Sequence, residues 1–178
     1  MRYAKIREID ISNGEGIGVS LFVQGCHFHC RGCFNPETWD FCGGKEWNYK
    51  IKEQFIELAN KPYITRISIL GGEPLCDENV KEVLDLIKDL KSIYPNKKIW
   101  LYTGYNFDEI LEKGNTGEKS FWKDRFDAIS NVDIVIDGQF KLENQDLYNE
   151  QIIWAGSTNQ RIFCIENMIN STIHEGID

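Results

Sequence analysis

The chain contains no apolar run approaching the roughly 20 residues that a membrane-crossing helix needs, so no membrane span is expected. It carries no surplus of positive charge either. Lys and Arg total 20 against 28 Asp and Glu, a formal net charge of −8. A phosphate backbone selects basic surfaces, so nucleic acid is not expected as a partner, although a local basic pocket for an anionic cofactor stays open. There is no internal repeat, no low-complexity stretch and no linker rich in Pro or Gly; only four prolines occur in 178 residues. One compact domain over residues 1–178 is therefore expected, frayed from about Asn170. The start, Met1-Arg2-Tyr3-Ala4-Lys5, leads into mixed polar sequence and does not read as a secretory leader. The expected compartment is the cytoplasm, where thiols stay reduced. Hydrophobic residues at 42% and charged residues at 27% suit an ordinary soluble domain and argue against general disorder.

Ile6–Ile11 and Val19–Val23 read as strands, joined across Asn13-Gly14-Glu15-Gly16 as a hairpin. The glycines of this turn do not follow the G-x-G-x-x-G spacing of a phosphate loop. Tyr49–Asn60 has helical periodicity, and Ile64–Leu70 is a strand ending at Gly71-Gly72. Asn79 is placed to cap a helix over Val80–Ile93, which Pro95-Asn96 stops. Lys98–Thr103 is a further strand. Phe107–Glu112 and Phe121–Ile129 suit helices, separated by Gly114-Asn115-Thr116-Gly117. Val132–Ile136 is a short strand ending at Asp137-Gly138. Two more strands are expected, at Ile152–Trp154 and Arg161–Cys164. Alternating strands and helices imply an α/β fold with a mostly parallel sheet. In such a sheet ligands bind at the carboxyl edge of the strands. That edge would gather Gly71-Gly72-Glu73-Pro74, Thr103-Gly104-Tyr105 and Asp137-Gly138, the last two as lining of a pocket. A complete eight-unit barrel needs about 250 residues, so a partial, open barrel fits the length better.

Six cysteines are present, and three of them form Cys26-x3-Cys30-x2-Cys33 on the loop after a strand. In a reducing compartment such spacing indicates metal or redox chemistry more than disulfides. Thiolates favour zinc, copper(I) and iron–sulfur clusters. A structural zinc site needs four protein ligands, and the fourth would have to be His27, His29 or a distant cysteine. No second C-x2-C couple exists to complete it. A cubane cluster on three cysteines instead leaves one iron free for a small molecule. Both readings stand on spacing alone. Cys42, Cys76 and Cys164 read as spare thiols or core packing. The five tryptophans read as core or partner surface.

The segment Val23-Gln24-Gly25-Cys26, with Cys30-Arg31-Gly32-Cys33-Phe34-Asn35-Pro36-Glu37-Thr38-Trp39, resembles the radical S-adenosylmethionine superfamily. With Asp10-Ile11-Ser12-Asn13-Gly14, Gly71-Gly72-Glu73-Pro74-Leu75 and Trp100-Leu101-Tyr102-Thr103-Gly104-Tyr105, the resemblance narrows. Asp137-Gly138-Gln139-Phe140 and Gly156-Ser157-Thr158-Asn159-Gln160 complete it. The chain is similar, over most of its length and in the same order, to the activating proteins of anaerobic ribonucleoside-triphosphate reductases. Ala155 departs from the pattern, standing where an arginine is expected before Gly156-Ser157.

The resemblance implies an open β/α barrel of the radical S-adenosylmethionine type and a 4Fe-4S cluster on Cys26, Cys30 and Cys33. It implies that Gly71 and Gly72 hold the methionine end of S-adenosylmethionine; Gly32, Cys33 and Phe34 are further contacts, since they flank the free iron. No side chain is singled out as catalytic beyond the cluster and the cofactor. Reductive cleavage of S-adenosylmethionine would yield a 5′-deoxyadenosyl radical, which removes a hydrogen from a glycine of the large reductase subunit. The implied partners are that subunit and an electron donor such as flavodoxin, with Trp154–Arg161 as part of the docking surface. Two alternatives are an activator of another glycyl-radical enzyme, of the pyruvate formate-lyase type, and a non-catalytic zinc or electron-transfer module.

Overall fold

A computed structural model describes residues 1–115, 120–146 and 153–166. The elements in chain order are β1 (Arg2–Asp10), β2 (Gly18–Gln24), β3 (Lys45–Glu46), α1 (Tyr49–Ala59), β4 (Arg66–Gly71) and α2 (Val80–Ile93). They continue with β5 (Lys98–Tyr102), α3 (Phe107–Gly114), α4 (Phe121–Ser130), β6 (Ile134–Asp137) and β7 (Arg161–Cys164). The fold is mixed α/β. Its seven strands form one sheet in the order β3-β1-β2-β4-β5-β6-β7. The central four, β2, β4, β5 and β6, pair in parallel. β1 runs antiparallel to β2 and β3, and β7 antiparallel to β6. The expected hairpin and the expected mostly parallel sheet are therefore present. No helix among the described residues is long and apolar enough to cross a membrane.

The apolar positions explain the layering. Val19, Leu21 and Val23 of β2, Ile67 and Ile69 of β4, and Ile99 and Leu101 of β5 all enter the core. They pack against Phe55 of α1, the Val80, Val83, Leu86, Ile87 and Leu90 stripe of α2, and Ile110 of α3. The alternate residues of these strands, Phe22, Leu70 and Tyr102, face a cleft on the other side. Caps set three of the helix starts. Asn48, Asn106 and Ser120 each accept a hydrogen bond from a first-turn N–H, satisfying donors the helix itself cannot.

Several expectations are corrected. β1 starts at Arg2, four residues before the expected strand, because Arg2 and Tyr3 pair with β2 on one side and with β3, a two-residue strand without periodicity of its own, on the other. Asn79 precedes α2 but its side chain caps nothing. Its amide instead donates to the carbonyls of Gln24 and Glu73, both at 3.0 Å. The expected strand at Ile152–Trp154 is not found: Ile153 and Trp154 lie in a turn, and residue 152 is outside the described residues. The frayed tail from Asn170 and positions 116–117 of the α3–α4 linker also fall outside them.

The glycine turn between β1 and β2 has a purpose beyond reversal. Gly14 and Gly18 pass so close to Arg66 that a Cβ on either would lie 2.5 or 2.6 Å from its side chain. The buried guanidinium donates to the carbonyls of Asp10, Asn13 and Glu15, to Ser68 Oγ and to the Asp10 carboxylate. The turn is thus wrapped around one arginine, whose five N–H donors have acceptors in place.

Candidate active site at the carboxyl edge

The loops leaving β2, β4, β5 and β6 converge on a cleft of about 450 Å³. Cys26, Cys30 and Cys33 all line it, together with Gly71, Gly72, Glu73, Thr103, Gly104 and Gly138. Loops 30 or more positions apart in sequence are brought together because parallel strands present the same end to the same edge.

The cysteine loop is held at its base and along its length. Gly25 adopts φ +96°, and a Cβ there would lie 2.3 Å from the Phe41 ring. Gly25 N–H donates to Thr38 O at 2.7 Å and Cys26 N–H to Trp39 O at 3.1 Å. The buried Gln24 amide donates to the carbonyls of Glu37 and Asp40. Each residue between the first two cysteines then packs on a different aromatic ring. His27 lies 4.4 Å from Phe41, Phe28 sits edge-on to Tyr105 at 5.1 Å, and His29 stacks on Trp39 at 4.8 Å. His29 reaches its partner from a left-handed backbone, φ +48°, which is uncommon for a non-glycine residue. Cys33 N–H donates to Cys30 O at 3.1 Å, closing the turn that brings the last two thiols round. Gly32, at φ +76°, lies in that turn, with Leu142 against it.

All three cysteines are free thiols. Burial pushes the Cys26 thiol up to about 11 and raises that of Cys30. Thiols in such surroundings stay neutral until a cation replaces the proton. The histidines are occupied elsewhere, His27 with Glu78 at 2.9 Å and His29 on Trp39. Among the described residues no three His, Cys, Asp or Glu side chains are arranged around a single metal ion. Neither His27 nor His29 lines the cleft that the three thiols share. Three thiols around a shared opening suit a multi-iron centre, where each takes a different iron.

The Gly-Gly loop meets the base of the cysteine loop. Gly71 has φ +110°, and a Cβ on Gly72 would lie 2.4 Å from Gly25 O. Gly72 N–H donates to Val23 O and Glu73 N–H to Gly25 O, at 2.9 and 2.8 Å. Both glycines line the cleft, but the close approach that excludes a side chain at Gly72 is to protein backbone. Glu73 is 2% exposed and joins two strand ends. Its Oε1 accepts from Leu75 N–H and Thr103 Oγ1, and its Oε2 from Gly104 N–H, all at 2.7–2.8 Å. Burial pushes this carboxyl up to about 7 against the opposing pull of those donors. Gly104 in turn leaves room for Phe28, whose ring a Cβ would meet at 2.5 Å.

Sequence reasoning missed the β1 side of the cleft. Lys5 and Arg7 line it, 4.5 and 4.9 Å above the Phe22 ring. A register shift between Tyr3 and Lys5 sets Tyr3 opposite core-facing Val23, but Lys5 opposite cleft-facing Phe22. Simple alternation along β1 cannot show this change of face. On the opposite flank Gly138, Phe140, Trp154 and Gly156 complete the lining. Of the expected contacts, Gly32 does not appear in the lining, whereas Phe34 does, with its ring 5.0 Å from Phe140.

The model of the 4Fe-4S single cluster domain matches residues 12–163. An anaerobic ribonucleoside-triphosphate reductase-activating protein of Pasteurella multocida is 34% identical over 165 residues, 92% of this chain and 97% of the relative. Proteins of the same name from Escherichia coli K12 and from phage T4 are 35% and 32% identical. These alignments span 90% and 92% of this chain, and 96% and 94% of the relatives. A cleft bearing three free thiols at the carboxyl edge, a cluster-domain match and relatives aligned nearly end to end lead to one conclusion: the chain belongs to the family of anaerobic ribonucleoside-triphosphate reductase-activating proteins.

Proposed function

We propose that this protein is a radical S-adenosylmethionine oxidoreductase that activates an anaerobic ribonucleoside-triphosphate reductase by generating a glycyl radical on it. The sheet, ending at β3 and β7, would be the open partial barrel of that class, and residues 1–178 its single domain. The observation that carries the reading is the meeting of Cys26, Cys30 and Cys33 with the Gly71-Gly72 loop in one cleft. Cys26, Cys30 and Cys33 would hold a 4Fe-4S cluster, leaving its remaining iron open to the cofactor. With the cluster and S-adenosylmethionine held there, the chemistry supplied would be one-electron reductive cleavage of the sulfonium C5′–S bond, the electron coming from an external donor, and hydrogen-atom abstraction from a glycine Cα.

The residues of the chain bind, orient and exclude water. Aromatic packing on His27, Phe28 and His29 holds the cysteine loop in shape. Gly71 and Gly72 bring backbone to the cofactor's methionine end, and Phe34 and Gly32 flank the ligand Cys33. Glu73 keeps the ends of β4 and β5 in register around the cleft. Lys5 and Arg7 offset negative charge inside a chain that is acidic as a whole. The electron donor would be a one-electron carrier such as reduced flavodoxin, and the compartment the cytoplasm. The experiment is electron paramagnetic resonance on the anaerobically reconstituted protein mixed with reductase, reductant and S-adenosylmethionine. A glycyl radical should appear only when both proteins are present and should vanish when the target glycine is Ala. A radical formed on another glycyl-radical enzyme but never on the reductase would show the choice of partner to be wrong.

A further inference from the structure

α4 contributes no residue to the cleft lining, yet it buries a cation. Arg125 is 4% exposed and, with Ala128 and Ile129, makes up the buried face of that helix. A cation among core positions needs acceptors, and this guanidinium finds them in two different loops. Nε donates to Leu75 O at 2.8 Å. Nη2 donates to the Asp77 carboxylate and, at 3.0 Å, to Tyr105 Oη. Leu75 and Asp77 follow the Gly71-Gly72-Glu73-Pro74 turn after β4, whereas Tyr105 follows Thr103-Gly104 after β5. Aromatic contacts add to these bonds. Arg125 Cζ lies 4.4 Å from the Tyr105 ring centroid and 4.6 Å from that of Trp122, and the two rings meet edge-on at 5.8 Å.

Tyr105 passes this restraint to the cysteine loop. Its ring meets Phe28 edge-on at 5.1 Å, and Phe28 stands between Cys26 and Cys30 and lines the cleft. Its N–H donates at 3.1 Å to Thr103 Oγ1, the hydroxyl that donates to Glu73. Its carbonyl accepts from Gly138 N–H at 3.1 Å, so the end of β6 is tied in as well. The Gly-Gly loop is thus held at both ends. Val23 O and Gly25 O fix its entry through the N–H groups of Gly72 and Glu73, and Arg125 fixes its exit against the ring that supports Phe28. The stem of the cysteine loop is held separately, by Thr38 O, Trp39 O and the Gln24 amide.

These contacts give Arg125 a part in the reaction, on the reading that the cleft binds S-adenosylmethionine beside a cluster. We propose that Arg125 is a positioning residue: it fastens the exit of the Gly71-Gly72 loop to Tyr105, and through Tyr105 holds Phe28 at the spacing the cofactor needs between that loop and the cluster. Arginine is suited to this place as lysine is not. Its rigid planar fork serves acceptors in two loops at once while lying against aromatic rings, whereas lysine offers a point charge on a flexible stem. A cation that satisfies one loop alone leaves the other free to shift. In a reacting site a misplacement of about 1 Å can cost about a hundredfold in rate.

The test uses the anaerobically reconstituted full chain, without reductase. Arg125→Lys keeps the charge and loses the fork; Tyr105→Phe keeps the ring on Phe28 and loses only the hydroxyl. Both should load iron and sulfide to the wild-type level, because neither touches the stem of the cysteine loop. By calorimetry S-adenosylmethionine should bind about fivefold more weakly to Arg125→Lys and about threefold more weakly to Tyr105→Phe. Electron paramagnetic resonance of the reduced cluster should match wild type without the cofactor and differ from it when the cofactor is saturating. Lys123→Met should match wild type throughout, since Lys123 pairs with Asp127 and Phe126 on its own helix. Binding within twofold of wild type in both variants, with unchanged spectra, would overturn the positioning role. Lost iron loading, or altered spectra before cofactor is added, would also overturn it, by showing general support of the cluster site. Should Arg125→Lys fail to fold, Tyr105→Phe decides by the same criteria. If the cluster-loaded wild type binds no S-adenosylmethionine, the cofactor reading fails and this role with it. If it binds the cofactor but makes no radical on the reductase, only the choice of partner fails.

Discussion

Glu73 offers the sharpest test of how the cleft is held together. Three donors and no acceptor face its carboxyl: Leu75 N–H, Thr103 Oγ1 and Gly104 N–H. In Glu73→Gln the amide oxygen can replace Oε1, but the NH2 group then faces the Gly104 N–H. A buried donor left without an acceptor costs about 1–3 kcal/mol. At about 2–4 °C per kcal/mol for a chain of this size, a loss of about 2 kcal/mol lowers Tm by about 4–8 °C at pH 8. The pH dependence gives a second, independent reading. The folded carboxyl holds its proton up to about 7, the unfolded one only up to about 4.5. Between those values the folded state binds more protons, so wild-type stability falls as pH rises through the window. At about 1.4 kcal/mol per pH unit the full effect is about 3 kcal/mol. The variant has no such group, so its deficit should widen as pH is lowered from 8 to 4.5. Urea unfolding of both proteins across that range is the assay. A deficit that is zero at pH 8, or constant with pH, would refute the reasoning.

Two further sets of substitutions follow from the geometry of the cleft. Cys26→Ala, Cys30→Ala and Cys33→Ala should each abolish iron and sulfide loading, measured by metal analysis and absorbance. Cys42→Ala should load normally, because Cys42 is exposed and lies outside the cleft lining; full loading of Cys30→Ala would refute the ligand assignment. Gly72→Val should impair cluster loading as well as S-adenosylmethionine binding by calorimetry, since its Cβ would lie 2.4 Å from the carbonyl preceding Cys26. Normal loading with weakened cofactor binding would show that the loop can yield at that contact.

Much of this protein is readable without its structure. The Cys26-x3-Cys30-x2-Cys33 spacing is local, so a short loop must bring its thiols near one another whatever surrounds it. The alternation of strands and helices from Tyr49 to Asp137 follows from periodicity, again a local property, and it places the Gly-Gly, Thr-Gly and Asp-Gly turns on one edge. Contacts across the fold are another matter. Asn79 has the composition and position of a helix cap, yet two carbonyls from other loops claim its amide. Glu73 looks like a turn residue until β5 brings Thr103 and Gly104 against it. Lys5 reaches the cleft only because a register shift with β2 changes the face of β1. Ile153 has the pattern of a strand residue and lies in a turn at the cleft mouth. In each case the deciding partner is distant in sequence: the side-chain chemistry and local backbone pattern were set by the residues alone, but which acceptor, ring or opening each one meets depended on how the strands were brought together.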